Sequence, residues 1–348
     1  MTGLVFVRAS QPGRDVATEA RSSFETIRTS LEGQGLSLSD ILKTRLHYAS
    51  REVWADLNAV REPLYRATFL DRGFPASTGL ITGGRAGGPR LEIEVVAARG
   101  KSTMNVDNVA RIFGGRTTSF SHLGEAHGVA FLTGQSAFDD AGGFEVSSFG
   151  DEARKTLASL DEVLRASGRT AADIISLGTF LAPRAASVSA YDEIMGEVSS
   201  YLSQPYRPTV VVSVGVQDLV WEEMSIEIEA TAGPAGAPRR AASGVPAASS
   251  LGRLPPHVSA VSAGGVVAAA TTATDLLTAL RTLASTVADV GGVSGSPLIT
   301  VWYGGSLPEG AEKLIRQRVP NAVVSLAPMV IPSGAAAVTL ELVGNSAP

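Results

Sequence analysis

The sequence contains no cysteine, which removes thiol nucleophiles, cysteine metal sites and disulfide frameworks together. Histidine is nearly absent as well. The four present (His47, His122, His127, His257) form no H-x-x-H or H-E-x-x-H pattern, so no metal is expected and no cofactor is called for. No apolar run approaches the roughly 20 residues that span a bilayer. The opening stretch MTGLVFVRASQPGRD has neither the basic flank nor the apolar length of a signal peptide. Charged residues make up 18%, the formal net charge is −5, and no stripe of Lys and Arg recurs on a helical face. Neither nucleic acid nor a membrane is therefore an expected partner. The reading is a cytoplasmic chain whose partner is a small molecule.

What the sequence does hold is core-forming material and a repeat. With 44% hydrophobic residues in 348, the chain suits two or three domains of modest size. Glu19-Ala20-Arg21 through Asp40-Ile41 recurs as Glu152-Ala153-Arg154 through Asp173-Ile174, at one constant offset of 133 residues. Each copy opens with an amphipathic helix, carrying Phe24, Ile27 and Leu31 or Leu157, Leu160 and Leu164. Each helix stops at a glycine, Gly35 or Gly168. A β-type run follows, Ile41–Tyr48 or Ile174–Leu181, and then a second helix with Val53, Leu57, Val60 and Leu64 or Tyr191, Ile194, Met195 and Val198. The copies close on Leu91–Ala97 (LEIEVVA) and Ile226–Ala232 (IEIEATA).

A weaker third copy predicts helices over Leu276–Val290 and Glu309–Arg318, and strands over Leu298–Tyr303, Ala322–Val330 and Ala336–Val343. Its entrance, Val258–Val261 and Val266–Ala270, reads as a hairpin turning at Gly264-Gly265. The second copy has a matching entrance, Ser119–His122 and Val129–Thr133, whereas the first begins at its second strand, Leu4–Val7. The expected units are residues 1–100 (first strand missing), 101–233 and 253–348, with 234–252 a linker by its Gly, Pro and Ser content.

The order FLTGQSAFD, EARKTLASLDEVLRASG, DIISLGTFLA, PYRPTVVVSVGV, MSIEIEATA in the second unit resembles the RidA (YjgF) family, whose members hydrolyse reactive enamines and imines. The first unit is similar from VRASQP through FPASTG to RLEIEVVA. The resemblance implies an α+β fold of three tandem RidA-like (chorismate-mutase-like) units, forming an intramolecular pseudo-trimer around a β-barrel core. It places small-molecule clefts between units, and leaves further homo-oligomerisation open. The first unit also has a local likeness to the chorismatases, from Arg45 through Tyr48, FPASTGLITGG and AARG.

In deaminating relatives, an arginine in a P-A-R-S/T stretch holds the substrate carboxylate, and the first glutamate of the final E-I-E strand activates water. That glutamate is present as Glu92 and Glu227, the candidate catalytic residues, while the third unit has Thr339 there and keeps only Glu341 at the second position. The arginine is replaced by Ser77, by Val210 or a neighbour, and by Ala322, although Arg207 lies nearby in the second unit. The candidate substrate-binding residues are Arg207, Thr78, Gly79, Arg45, Tyr48, Thr133 and Gln135. Thr78-Gly79 could present backbone N–H groups, and Arg45 with Tyr48 lies on an interior strand. For Thr133 and Gln135 packing outweighs binding.

The expected function is a Rid-superfamily hydrolase or deaminase of specialised metabolism, acting by acid–base chemistry at an imine, enamine or enol-type centre. A chorismatase-like hydrolase or lyase on an enolpyruvyl ether is the alternative. A non-catalytic binding or scaffold protein that lost the arginine is the third.

Overall fold

The computed structural model describes residues 3–69, 73–84, 87–104, 120–139, 142–185, 187–203, 208–242, 260–304, 307–329 and 338–347. Its first part runs β1 (Val5–Ala9), α1 (Val16–Glu32), β2 (Ile41–Tyr48), α2 (Arg51–Phe69), β3 (Ala76–Ile81) and β4 (Leu91–Ala97). The middle part runs β5 (Ser102–Met104), β6 (Leu123–Ala126), β7 (Val129–Leu132), α3 (Phe149–Ala166), β8 (Ile174–Leu181), α4 (Val188–Leu202), β9 (Val210–Gly215), β10 (Asp218–Leu219) and β11 (Ile226–Ala232). The last part runs β12 (Arg239–Ala242), β13 (Ala260–Ala263), β14 (Val266–Ala273), α5 (Leu276–Asp289), β15 (Val293–Tyr303), α6 (Ala311–Arg318), β16 (Val323–Pro328) and β17 (Val338–Ser346).

These strands form three mixed sheets, ordered β1-β4-β2-β3-β10, β5-β6-β7-β11-β8-β9 and β12-β13-β14-β17-β15-β16. In each, one parallel pair (β2 with β3, β8 with β9, β15 with β16) lies beside antiparallel neighbours. A parallel pair needs a crossover, and α2, α4 and α6 supply it. The first helices start and stop by the same local chemistry. Asp15, Ser148 and Asp275 cap α1, α3 and α5 by accepting from Thr18, Asp151 and Thr278. Gly35, Gly168 and Gly291 then take positive φ, and the next N–H folds back to Leu31, Leu164 and Val287.

The buried Glu19 and Glu152 that mark the repeat are structural clamps. Glu19 accepts from the Arg90 N–H at 3.0 Å, just before β4, and Glu152 from the Ser225 and Ile226 N–H groups at 2.6 and 3.0 Å, at the start of β11.

Each sheet packs its helices on one face in a cluster of its own. The other faces meet in one shared core, including Phe6, Leu42 and Val96 from the first sheet, Phe131, Phe180 and Val212 from the second, and Val261, Ala268 and Trp302 from the third. β2 and β8, sandwiched between helices and shared core, are buried at every residue. The sheets do not join into a closed barrel among the described residues. Sheets one and two are stitched by β10, which pairs with β3, and by a bridge between Ala76 and Ser121.

Two expectations are corrected by position. The entry strand expected at Ser119–His122 lies at Leu123–Ala126, because the β6–β7 turn is formed by His127-Gly128, both at positive φ. Histidine rarely takes that conformation, so the turn carries no glycine pair like Gly264-Gly265. Four residues of the expected 234–252 linker form β12, pairing with β13. Arg239 anchors it by donating to the Ile174 and Pro208 carbonyls at 2.7 and 2.8 Å. No helix among the described residues is long and apolar enough to cross a membrane.

Candidate functional site

The final strands β4, β11 and β17 lie in the middle of their sheets, and their glutamates alternate between two levels. At one level Glu94 stands opposite Arg45, Glu229 opposite Gly178, and Glu341 opposite Thr300. The three carboxylates converge on the single Arg45 guanidinium. Arg45 donates to Glu94 at 3.2 Å, to Glu341 at 3.0 Å through both terminal nitrogens, and to Glu229 through Nε at 3.0 Å. Phe180 and Trp302 flank it, 5.6 and 5.9 Å from ring centre to Cζ. Glycine at 178 and threonine at 300 leave room for one guanidinium.

Burial alone would raise Glu94 and Glu229, but the neighbouring cations, Arg45 foremost, override it. Glu94 is held down at about 2 by Arg45 and His47, and Glu229 lower still by Arg45 and Lys43. Burial pushes the Lys43 ammonium down, against the pull of Glu229 at 2.9 Å. Arg45, expected to bind substrate, is thus consumed by an internal ion cluster. The cavity beside it, lined by Lys43, Ser176, Leu298 and Thr300 among others, has a volume of ≈ 40 Å³. That admits water but not a metabolite.

At the other level the units diverge. Glu227, opposite Phe180, lies where the first two units meet. Its carboxylate rests against Gly134, where any Cβ would strike it, and the Gly79 N–H of β3 faces it. The Gly134 N–H donates to the Ser77 carbonyl at 3.2 Å across the same junction. Glu227 makes no ion pair among the described residues. Burial, reinforced by the charge of Glu229, pushes it up to about 8, against the weaker pull of Lys43 and the Gly79 N–H. The Tyr48 ring packs beside Gly79, and burial raises its hydroxyl further from ionisation. Val220 also packs on Gly79, in a segment tied down by Arg51, which pairs with Asp218 at 2.7 Å and Glu222 at 2.6 Å.

Glu92 occupies the same level where the first and third units meet, and it is occupied. Arg8 pairs with it at 2.7 Å, and the Ser325 hydroxyl donates to its other oxygen. Strand register explains the contrast. Ala9 faces Ile93 as Gln135 faces Ile228, so the residue just before is Arg8 in the first unit and Gly134 in the middle one, where the strand carries one extra residue between Phe131 and Gln135. At the third junction Thr339 replaces the glutamate and its hydroxyl bonds Thr272 at 2.9 Å.

The remaining candidates serve the framework. Thr78 accepts from Lys43 at 2.6 Å and donates to Glu229. Thr133 accepts from the Ser77 N–H and donates to the Ser121 carbonyl, both at 2.7 Å. Gln135 pairs its backbone with Ile228, and its side chain bonds the Thr133 carbonyl and Ser159 at 2.9 and 2.8 Å. Arg207 lies outside the described residues. Sequence reasoning missed Lys43, which alternates with Arg45 and His47 on one face of β2, and Arg8. It also missed Arg61, a charge on the buried stripe Val53, Leu57, Arg61, Tyr65, Phe69 of α2. No group of three or more acidic or histidine side chains among the described residues is arranged to hold a metal.

Residues 115–233 match the family model described as endoribonuclease L-PSP, an older name for the Rid family. The middle of this chain is similar to a single unit of that family. Among solved structures, a chorismatase is similar at 18% identity and a TM-score of 0.51, over 66% of this chain and 74% of that one. That likeness, which extends beyond a single unit, shows the fold. Escherichia coli TdcF with bound serine matches at 19% identity and a TM-score of 0.33, over 38% of this chain and 100% of its own. A YjgF/YER057c/UK114 family protein from Mycobacterium tuberculosis matches at 15% and 0.30, over 38% and 98%. No curated protein sequence matches significantly.

Proposed function

We propose that the chain is a Rid-superfamily enzyme whose three fused units act as an intramolecular pseudo-trimer with one working cleft, at the junction of the first two units. The observation that carries this reading is Glu227: a buried carboxyl with no ion pair among the described residues, pushed up to about 8, at the junction of two units. Such a group is largely protonated at neutral pH and close enough to its pKa to move a proton either way. The reaction is hydrolysis of an imine or of the enamine tautomer that gives it. Glu227 protonates the imine nitrogen. The carboxylate so formed takes a proton from the water attacking the carbon, then returns it to the departing amine. The carbinol O–H gives its proton back to the Glu227 carboxylate as the carbonyl forms, leaving a carbonyl compound, ammonia or an amine, and Glu227 protonated as it began. Ordering of the Gly79 N–H and Tyr48 beside Glu227 suits a small polar substrate.

The test is hydrolysis of imines generated in situ by wild type and by Glu227→Gln. Turnover retained in Glu227→Gln sinks the proposal. The fold likeness to a chorismatase favours a second reading, cleavage of an enolpyruvyl ether, in which the same carboxyl protonates the enol carbon. Chorismate turnover by wild type that disappears in Glu227→Gln would move the assignment there. A scaffold role would leave every substrate untouched.

A further inference from the structure

Lys43 is a buried charge that the proposed chemistry does not use. It is 7% exposed, and an ammonium carries three N–H donors and no acceptor. Three acceptors from three segments meet it: the Thr78 hydroxyl of β3 at 2.6 Å, the Leu132 carbonyl of β7 at 2.6 Å and the Glu229 carboxylate of β11 at 2.9 Å. Every donor therefore has a partner, and the lysine ties the first unit to the middle one.

Each partner is a short step from Glu227. Thr78 precedes Gly79, whose N–H faces the Glu227 carboxylate. Leu132 lies two residues before Gly134, against which that carboxylate rests. Glu229 follows Glu227 on the same face of β11. Strand register shows that the other two junctions lack this tie. Lys43 pairs with Val96 as Ser176 pairs with Thr231 and Leu298 with Val343, each two residues beyond the glutamate that meets Arg45. A serine and a leucine thus stand in its place, and the lysine is found at the same junction as the glutamate without an ion pair.

We infer that Lys43 is the positioning residue of this junction: it fixes Gly79, Gly134 and Glu229 around the Glu227 carboxyl and supplies the positive charge that favours release of its proton. The groups around Glu227 are Glu229 on its own strand and Lys43 and Tyr48 on β2, with Arg45 beyond Glu229 and Arg61 of α2 beyond Tyr48. Glu229 opposes ionisation of Glu227, and Lys43 favours it. Without the ammonium, Glu227 keeps its proton to higher pH. This role rests on the acid–base reading of Glu227, yet its first readout needs no substrate.

That readout is the titration of the Glu227 carboxyl, followed by carbon-13 NMR of full-length protein labelled at glutamate and assigned by its loss in Glu227→Gln. The midpoint should lie near pH 8 in wild type. In Lys43→Met it should lie about one pH unit higher. With imines generated in situ, kcat of Lys43→Met should fall about tenfold or more while KM stays within about threefold. An unshifted midpoint in Lys43→Met overturns the inference, since a merely structural lysine would alter stability and leave that midpoint in place. Should Lys43→Met not fold, Lys43→Gln, which keeps two N–H donors without the charge, is read in the same way. Turnover retained in Glu227→Gln while the midpoint moves as expected sinks the acid–base reading alone.

Discussion

Two glutamates on equivalent strands, Glu227 and Glu92, meet opposite fates at two unit junctions. One lies against Gly134 with no ion pair among the described residues and a raised pKa; the other is clamped by Arg8 and Ser325. Gly134 and Arg8 each stand just before the residue that faces the isoleucine of the final strand, the middle unit carrying one extra residue there, and the presence or absence of that arginine separates an ion pair from a poised acid. Fusion makes this division possible, because a homotrimer must make the same choice three times. The largest test is the pair Glu227→Gln and Glu92→Gln. The first should lower kcat/KM by about 10²–10⁴, and the second should leave it within about threefold. In wild type kcat/KM should fall as pH rises through about 8, because the protonated carboxyl is the active form. The reverse ranking of the two variants would break the comparison.

Stability should follow the same group with a definite sign. An acid whose folded pKa is raised loses stability as pH climbs from its unfolded value of about 4.3 through its folded one. Glu227→Gln removes that loss, so the variant should gain on wild type between pH 5 and pH 9 in urea titrations. Glu94 and Glu229 run the opposite way. Held down by Arg45, they contribute stability above their unfolded pKa that is lost as pH falls toward about 2. Arg45→Leu strands three buried carboxylates and should cost about 3–5 kcal/mol at pH 7. Its penalty should shrink in acid as those carboxyls protonate. A cost under about 1 kcal/mol at pH 7 would show that the cluster is not what holds the three sheets together.

The strands were legible because they are written in two periods at once. β2, β4, β8 and β11 begin and end where their apolar runs do. The hairpin at Gly264-Gly265 declared itself by glycine, whereas its counterpart at His127-Gly128 did not, and β6 was misplaced accordingly. At the site, the glutamates could be read from the final strands, but their pairing could not. That Arg45 gathers carboxylates from three sheets depends on side chains up to 296 residues apart, a distance no local pattern spans. Arg61 was readable in principle, since positions 53, 57, 61, 65 and 69 fall on one helical stripe. A stripe drawn through Val60 and Leu64 instead hid the charge.

Filling the space at Gly134 should be nearly as damaging as removing the acid. Gly134→Arg puts at the first junction what Arg8 puts at the second, and it should pair with Glu227. A loss of about 10²-fold in kcat/KM is expected, together with disappearance of the fall near pH 8, because a paired carboxylate no longer protonates there. Activity within about threefold of wild type would mean that Gly134 does not keep the cleft open.

The smallest effect belongs to the reciprocal change. Arg8→Gly removes a half-buried partner of Glu92, leaving the carboxylate with Ser325 alone. The cost should be about 1–3 kcal/mol, as read by urea titration. No turnover should appear at this junction, because the strand facing Glu92 presents Leu326 where the first unit presents Gly79, in the parallel register of β16 with β15 and β3 with β2. A carboxyl freed of its partner but without an open neighbour has nowhere to place a substrate. Turnover gained by Arg8→Gly in a Glu227→Gln background would show instead that the arginine alone silences the second cleft, and that the glycine on the facing strand is dispensable.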